Sequence, residues 1–318
     1  MSPLISRLIP TVLLGVLGLA GCSDGSDGSI FSGLSLSGCA DSGDCVSNPP
    51  TVINQERPAQ VLVPSDYNTA TRYPLIVVLH GFGANGAVQA AYMGFTQRVD
   101  AGQYVMVTPD GTLNEQGNRF WNATEACCAF SEEDFAVDDV SYIRSLIEEA
   151  AATYSIDTNH IALFGHSNGG FMTLRMACEA SDYVTTAVSL AGSTFDDPAL
   201  CAPASNPVNV LLIHGDEDAT ILYEGSDIGG DAYPGAIETA ERFAGQYGCD
   251  VQNTVPLADL DMIPTPDGAE TERVSYPDCN DGVAMELWTI TQGPHIPAPW
   301  QSAAQDEMVQ WLLDNGRD

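Results

Sequence analysis

The sequence contains no lysine, and its ten basic residues are all arginines. Against them stand 43 Asp and Glu residues, which give the 318-residue chain a formal net charge of −33. Proteins that bind nucleic acid or anionic lipid through their surface neutralise phosphate with clustered positive charge. The shortage of cations therefore excludes nucleic-acid binding by that route and adhesion to membranes through a basic patch. Such acidity favours a soluble protein in salty surroundings, where self-repulsion is screened.

Long apolar runs are also missing, except at residues 8–20. This run is shorter than the roughly 20 apolar residues that span a bilayer, which makes a retained transmembrane anchor the lesser alternative. It follows Arg7 and ends in small residues, so residues 1–21 are predicted to be a secretory signal peptide. The tetrapeptide at 19–22, Leu-Ala-Gly-Cys, resembles the lipobox of bacterial lipoproteins, which predicts lipidation of Cys22.

An exported protein is therefore expected, held at the outer membrane or cell surface by the Cys22 anchor, or otherwise cleaved and secreted. Residues 22–50 are rich in Gly, Ser and Asp and have few large apolar side chains. They are predicted to form a linker, because such a segment cannot bury a core. The chain length would allow two domains, but one large catalytic domain at 51–318 also fits.

Nine cysteines are present, and removing a lipidated Cys22 leaves an even number in a compartment that permits disulfides. Spacing suggests Cys39 with Cys45, Cys178 with Cys201 and Cys249 with Cys279, which leaves the vicinal Cys127 and Cys128. A zinc site is the alternative, but C-x-x-C spacing and nearby histidines are lacking. We expect neither a metal nor an organic cofactor.

Strand-like and helix-like segments alternate along the domain. Unbroken apolar runs predict strands buried on both faces at 75–79, 104–108, 161–164, 187–191, 208–213 and 285–290. Helical periodicity covers 139–154, 169–179, 237–247 and 302–313, and 60–64 is predicted to be an antiparallel edge strand. This alternation predicts an α/β fold with a mostly parallel central sheet and helices on both faces. Only about sixteen residues separate the fourth and fifth runs, which leaves no room there for a large lid.

Two segments match the pattern G-x-S-x-G, at 21–25 and 165–169. The first lies in the lipobox and linker. The second follows a predicted strand and precedes a predicted helix, which is the context that a nucleophile elbow requires. Ser167 is therefore the candidate nucleophile, with an ordinary helix N-cap as the alternative interpretation.

A serine nucleophile needs a histidine base that is held by a carboxylate. Of the five histidines, only His295 lies in a loop after the last predicted strand, where the nucleophile–acid–histidine order of α/β-hydrolases requires it. The acid should follow the strand at 208–213, and we choose Asp218 with Asp216 as the alternative. The backbone N–H groups of Phe82, in a Gly-rich loop after the strand at 75–79, and of Asn168 are predicted to form the oxyanion hole.

The sequence resembles the secreted polyhydroxybutyrate-depolymerase and feruloyl-esterase family of α/β-hydrolases over roughly residues 55–315. The blocks that carry this resemblance are LIVVLHGFGAN, FWNATEACC, VDDVSYI, IALFGHSNGGFM, LLIHGDEDAT, CNDGVAMELWTI and QGPH. The family places its triad acid three residues after a His-Gly pair, which favours Asp218. Its histidine is usually followed by Trp-Pro, whereas here Trp300 comes five residues after His295.

Trp121 and Trp300 are candidate substrate-binding residues in the wall of the cleft, although core packing is an equal alternative for Trp121. Asp138 and Asp139 are expected to cap the following helix rather than to touch substrate. A binding lipoprotein that reuses the fold should lack a triad member, and a serine peptidase of this fold usually adds a further domain.

The resemblance and the site together predict a monomeric serine esterase that works through an acyl-enzyme. Its partner would be a polymeric or small ester substrate, with the membrane reached only through the lipid anchor. Aliphatic polyesters of the polyhydroxyalkanoate type and short-chain esters are the first substrate prediction. Feruloyl or acetylxylan esters of plant cell walls are the alternative.

Overall fold

A computed structural model describes residues 36–201 and 205–317 of the chain. The predicted signal peptide and Cys22 lie outside these residues. The strands are β1 Val52–Ile53, β2 Ala59–Leu62, β3 Tyr73–Leu79, β4 Val105–Thr108, β5 Thr112–Leu113, β6 Arg119–Phe120, β7 Ile156–His166, β8 Thr186–Leu190, β9 Asn209–Gly215, β10 Gly225–Ile228, β11 Asp231–Pro234, β12 Val255–Pro256, β13 Thr271–Ser275 and β14 Met285–Ile290. The helices are α1 Cys39–Ser42, α2 Gly86–Tyr92, α3 Val99–Gly102, α4 Glu132–Phe135, α5 Asp139–Thr153, α6 Asn168–Glu179, α7 Ala236–Gln246 and α8 Ser302–Asp314. None of these helices is both long and apolar enough to cross a bilayer.

Ten strands form one sheet in the order β1-β2-β4-β3-β7-β8-β9-β14-β13-β12. Six neighbouring strands in the middle of this order run parallel: β4, β3, β7, β8, β9 and β14. They correspond to the six predicted apolar runs. The predicted α/β class with a mostly parallel sheet is therefore confirmed. The segment at 60–64 does form an antiparallel strand, β2, but it is not the edge of the sheet, because the two-residue strand β1 pairs outside it.

The central strands carry unbroken apolar runs because both faces of the sheet are covered by helices. In β3, Leu75, Val77 and Leu79 face a core that includes residues of α5, α6 and α7. The alternate residues Ile76 and Val78 face a second core with residues of α2, α3 and α8. Side chains of a strand point to opposite faces in turn, so an unbroken apolar run is what a doubly covered strand requires.

The prediction that residues 22–50 form a linker is wrong for residues 36–50. Residues 39–42 form α1, which packs on α5, and a Cβ on Gly38 would lie 2.9 Å from the Ala151 carbonyl oxygen. The Val46 N–H also donates to the Thr153 carbonyl at 3.1 Å. A segment with few apolar side chains is fixed here by a local disulfide and backbone hydrogen bonds, which composition does not reveal.

Disulfides join the eight cysteines of the described residues, in the three pairs that spacing suggests and in a fourth between the vicinal Cys127 and Cys128. The pairs are Cys39–Cys45, Cys127–Cys128, Cys178–Cys201 and Cys249–Cys279. A zinc site built from these residues would need free thiolates, so the pairing removes that alternative. Disulfides persist in oxidising compartments, which agrees with an exported protein.

Parallel strands end at one edge of their sheet, and the predicted site residues follow those ends. Phe82 comes after β3, Ser167 after β7, Asp218 after β9 and His295 after β14. Ligand and catalytic sites of open α/β sheets lie outside this carboxyl edge. The topology therefore brings together residues that are more than 200 positions apart in the chain.

Candidate active site

Strand β7 gives way to helix α6 within a single residue, Ser167. Its backbone has φ 55° and ψ −121°, a conformation that L-residues rarely adopt. Two glycines make this turn possible: a Cβ on Gly165 would collide with the Gly169 carbonyl, and a Cβ on Gly169 would collide with the Leu79 carbonyl. The strained turn lifts the serine hydroxyl out of the sheet at its carboxyl edge, as a nucleophile elbow does.

A chain of hydrogen bonds joins Ser167, His295 and Asp218. Ser167 Oγ lies 2.9 Å from His295 Nε2, and His295 Nδ1 lies 2.7 Å from Asp218 Oδ2. The carboxylate side chain is fully buried, while the imidazole is 15% exposed. In this arrangement Nδ1–H donates to the carboxylate, which leaves Nε2 free to accept the serine proton.

The Asp218 carboxylate accepts hydrogen bonds from several directions. Its Oδ1 accepts from the backbone N–H of Thr220 at 2.8 Å and of Ile221 at 2.9 Å. Its Oδ2 contacts His295 and lies 3.3 Å from His214 Nε2. Burial by itself would raise the pKa of Asp218, but the hydrogen bonds from His214 and His295 hold it well below its usual value. The carboxylate therefore stays ionised and fixed beside the imidazole.

The carboxylate of Asp216, the alternative acid, does not contact His295. Its side chain is exposed, and its Oδ1 accepts the backbone N–H of Gln292 at 2.5 Å. It therefore helps to order the segment that leads to His295 but does not contact the imidazole. Of the two candidate carboxylates, the structure brings only Asp218 to the histidine.

His166 and Tyr92 also form hydrogen bonds to the loop that carries His295. His166 Nε2 lies 2.9 Å from the His295 carbonyl oxygen, and the Tyr92 hydroxyl donates to the Pro297 carbonyl at 2.6 Å. Burial lowers the pKa of His166 to about 4, so its imidazole is neutral at pH 7 and carries its proton on Nε2. These two bonds hold the backbone at His295 and two residues after it.

The predicted oxyanion donors, Phe82 and Asn168, both lie beside Ser167. Asn168 begins α6, so its N–H belongs to the first turn, where backbone donors have no partner within the helix. In the described part of the chain, the Phe82 N–H donates to no protein acceptor. The Asn168 side chain is engaged elsewhere, since it exchanges hydrogen bonds of 2.7 and 2.8 Å with the backbone of Trp121.

The prediction that Trp121 walls the cleft is wrong. Its side chain is fully buried, and its indole N–H donates to the His80 carbonyl at 2.9 Å. Trp121 thus braces the strand ends behind the site, which is the core-packing alternative. Trp300 does not line the cleft either: it is half-buried and packs edge-on against Tyr92, with ring centroids 5.8 Å apart.

A cleft of about 450 Å³ opens at Ser167, within the range of pockets that bury small ligands. Its apolar lining comes from Phe82, Ala84, Val88, Tyr92 and Ile296, and its polar lining from Gln89, His166, Thr220 and the reacting pair. Sequence reasoning missed Val88, Tyr92 and Ile296. One signal was available: Val88 and Tyr92 are four residues apart on the helix that follows the oxyanion loop, so they share a face.

Comparison with known proteins gives a consistent picture. The sequence profile of the phospholipase/carboxylesterase family matches residues 62–227, just over half of the chain. NocK of Nocardia uniformis, whose name describes it as an esterase, is 25% identical over 233 residues, which cover 70% of this chain and 64% of NocK. Feruloyl esterase D of Neurospora crassa is 24% identical over 278 residues, which cover 82% of each chain.

Among solved structures, an acetyl xylan esterase from Aspergillus awamori superposes with a TM-score of 0.59 at 14% identity. The superposition covers 84% of this chain and 97% of that one. At this level of identity the likeness concerns the fold. The expected resemblance to feruloyl esterases is thus confirmed, whereas none of these names is that of a polyester depolymerase.

Proposed function

The chain belongs to the phospholipase/carboxylesterase family, and from this premise we propose that it releases feruloyl-type aromatic acids from plant cell-wall polysaccharide. The family and the esterase relatives make it a carboxylic-ester hydrolase. Beyond this class of reaction, we propose which residues catalyse it and which acyl group they release. The single observation that carries the catalytic part is the hydrogen-bonded chain from Ser167 through His295 to Asp218.

In the first half-reaction, Ser167 Oγ attacks the ester carbonyl carbon while His295 Nε2 takes the hydroxyl proton. The oxyanion that forms is stabilised by the N–H groups of Phe82 and Asn168, and the ionised Asp218 stabilises the imidazolium. The tetrahedral intermediate then collapses, the bond from carbon to the alcohol oxygen breaks, and His295 gives its proton to the leaving alcohol. An acyl group remains on Ser167.

In the second half-reaction, water replaces the alcohol. His295 takes a proton from water, the new hydroxide attacks the acyl carbon, and the bond from carbon to Ser167 Oγ breaks. The proton returns to the serine and the free acid leaves. In this proposed sequence, every proton passes between Ser167, His295, the leaving alcohol and water.

The size and lining of the cleft favour an aromatic acyl group. An acetyl group would fill only a small part of about 450 Å³, whereas a hydroxycinnamoyl group could contact Val88 and Tyr92 along its length. The names of several relatives point the same way. A net charge of −33 also favours neutral esters over polyanionic ones.

Aliphatic polyester remains the second candidate, and one observation favours it. Val88 and Ile296 are both more than half exposed at the cleft, so a flexible apolar chain could contact an apolar surface at its entrance. Residues 1–21 and Cys22 complete the proposal as a signal peptide and lipid anchor, supported by the lipobox sequence and by the disulfides.

A substrate panel tests the proposal. Initial rates would be measured on methyl ferulate, acetylated xylan and a polyhydroxybutyrate film, with the Ser167→Ala variant as the blank. We expect the highest kcat/KM on methyl ferulate. Polyester hydrolysis together with ferulate release at the blank rate would establish the second candidate, and efficient release of acetate alone would assign the cleft to acetyl esters.

A further inference from the structure

Two phenylalanine rings form an exposed apolar step at one side of the cleft. Phe82 is 39% exposed and Phe130 is 57% exposed, and their rings pack edge to face with centroids 5.8 Å apart. Phe82 lines the cleft at Ser167, whereas Phe130 lies outside it. The pair therefore forms a continuous aromatic surface that leads from the reacting serine to the exterior.

The backbone that presents Phe130 is held in place on both sides. Its N–H donates to Oδ2 of the buried Asp134 at 3.2 Å, and Ser131 Oγ accepts the Asp134 N–H at 3.1 Å. On the preceding side, the Cys128 N–H donates to the Trp121 carbonyl at 3.3 Å, and the same cysteine is in a disulfide. A ring that is exposed on an ordered scaffold loses little conformational entropy when it binds a ligand.

The surroundings of Phe130 are acidic. Glu132 and Glu133 follow it closely in the chain and are exposed. The guanidinium of Arg119, near the Gly-rich loop, is paired with Asp110 at 3.1 Å. Carboxylates accept hydrogen bonds from hydroxyl groups and repel anions, so this edge suits a neutral polyhydroxylated ligand better than a uronate or a phosphate.

The acyl part and the alcohol part of the ester differ in size and therefore need different binding surfaces. The acyl part is small and ends within the molecule, so it can occupy the cleft beside Val88 and Tyr92. An alcohol that belongs to a polymer cannot fit a cavity of about 450 Å³ and must leave Ser167 along an open surface. The Phe82–Phe130 step is such a surface, and it begins at the residue that supplies an oxyanion N–H.

We propose that the Phe82–Phe130 step binds the alcohol side of the ester, and that this alcohol is a neutral sugar whose C–H face packs on Phe130. This inference rests on the proposed function, since it assigns the leaving group of the same reaction. Phe130 acts as a specificity-determining residue and has no part in the chemistry at Ser167. Its contribution should thus appear only when the alcohol is large enough to reach it.

The test varies the alcohol while the acyl group stays the same. The Phe130→Ala variant would be compared with wild type on methyl ferulate and on a feruloylated arabinose oligosaccharide. We expect the variant to raise KM for the oligosaccharide about five- to tenfold, with kcat/KM for methyl ferulate within about twofold of wild type. Phe130→Trp keeps an aromatic surface and should retain most of the affinity for the oligosaccharide.

Phe135→Ala is the matched control, because Phe135 is 49% exposed and lies in the same segment, but its ring does not pack on Phe82. It should leave both substrates unaffected. If Phe130→Ala lowered kcat/KM equally for methyl ferulate and for the oligosaccharide, the ring would lie on the acyl side, and the proposal would be overturned. Unchanged kcat/KM for both substrates would overturn it as well. If wild type does not cleave ferulate, the same comparison with methyl acetate and acetylated xylose oligosaccharides tests the step independently of the acyl assignment.

Discussion

Two histidine–carboxylate pairs lie at opposite ends of the parallel sheet, and they have nearly the same geometry. His295 Nδ1 is 2.7 Å from Asp218 Oδ2 at the carboxyl edge. His160 Nδ1 is 2.8 Å from Asp157 Oδ2 in the first half of β7. The distance from nitrogen to carboxylate oxygen therefore does not show which of the two pairs is catalytic.

Their surroundings differ. The Asp218 side chain is fully buried and has two backbone donors and a second histidine, whereas the Asp157 side chain is 30% exposed. The outer nitrogen of His295 reaches a serine hydroxyl at 2.9 Å, while the His160 ring packs near the backbone of Gly316. A buried, ionised carboxylate on one side and a serine hydroxyl on the other allow the imidazole of His295 to act as a general base.

The largest effect that separates the two pairs should come from Asp218→Asn. Asparagine keeps the shape and can still accept the N–H groups of Thr220 and Ile221, but it cannot stabilise an imidazolium. We expect kcat/KM on a short ester to fall about 10³- to 10⁴-fold at pH 7.

Asp157→Asn is the matched control for that variant, because it makes the same chemical change in the other pair. Its kcat/KM should stay within about twofold of wild type, since surface pairs contribute little. Comparable losses in both variants would mean that Asp218 has no special role in activating its histidine.

A smaller effect concerns the buried imidazole of His166 beside the catalytic loop. Burial lowers its pKa to about 4 in the folded protein, so between pH 4 and 6.5 the unfolded chain binds a proton that the folded chain does not. The free energy of unfolding should therefore decrease as pH falls through this window. From pH 7.5 to 5 the loss due to this residue is about 2 kcal/mol.

Urea unfolding of wild type and His166→Gln at these two pH values measures this contribution. Glutamine retains an N–H that can donate to the His295 carbonyl but does not titrate. The variant should therefore lose about 2 kcal/mol less stability on acidification than wild type. An identical pH dependence in both proteins would show that His166 is not held neutral by the fold.

Part of this site follows from local chemistry. The sequence predicts a sharp turn at Ser167 because Gly165 and Gly169 stand between an apolar run and a helical pattern, and the structure shows why a Cβ would not fit at either glycine. His295 was selected by its position after the last strand, which depends only on the order of elements. The six central strands are predictable for a similar reason, since burial on both faces leaves an unbroken apolar run.

Other features depend on contacts between distant parts of the chain. Nothing local distinguishes Trp121, which is buried behind the strands, from Phe130, which is exposed beside the cleft, because both lie in the same irregular segment. Residues 36–50 have the composition of a linker, yet a disulfide and the surface of α5 order them. The polar strand β13 lacks the apolar run that revealed its neighbours, because its side chains are mostly half-buried.

Labelling with a fluorophosphonate ester shows whether Ser167, at the carboxyl edge of the sheet, is the nucleophile. The hydroxyl oxygen of an activated serine attacks the phosphorus, fluoride leaves, and peptide mapping by mass spectrometry locates the phosphonyl adduct. We expect one adduct per chain on the peptide that contains Ser167, no adduct in Ser167→Ala, and slower labelling in Asp218→Asn. An adduct on another residue, or equal labelling of Ser167→Ala, would contradict this expectation.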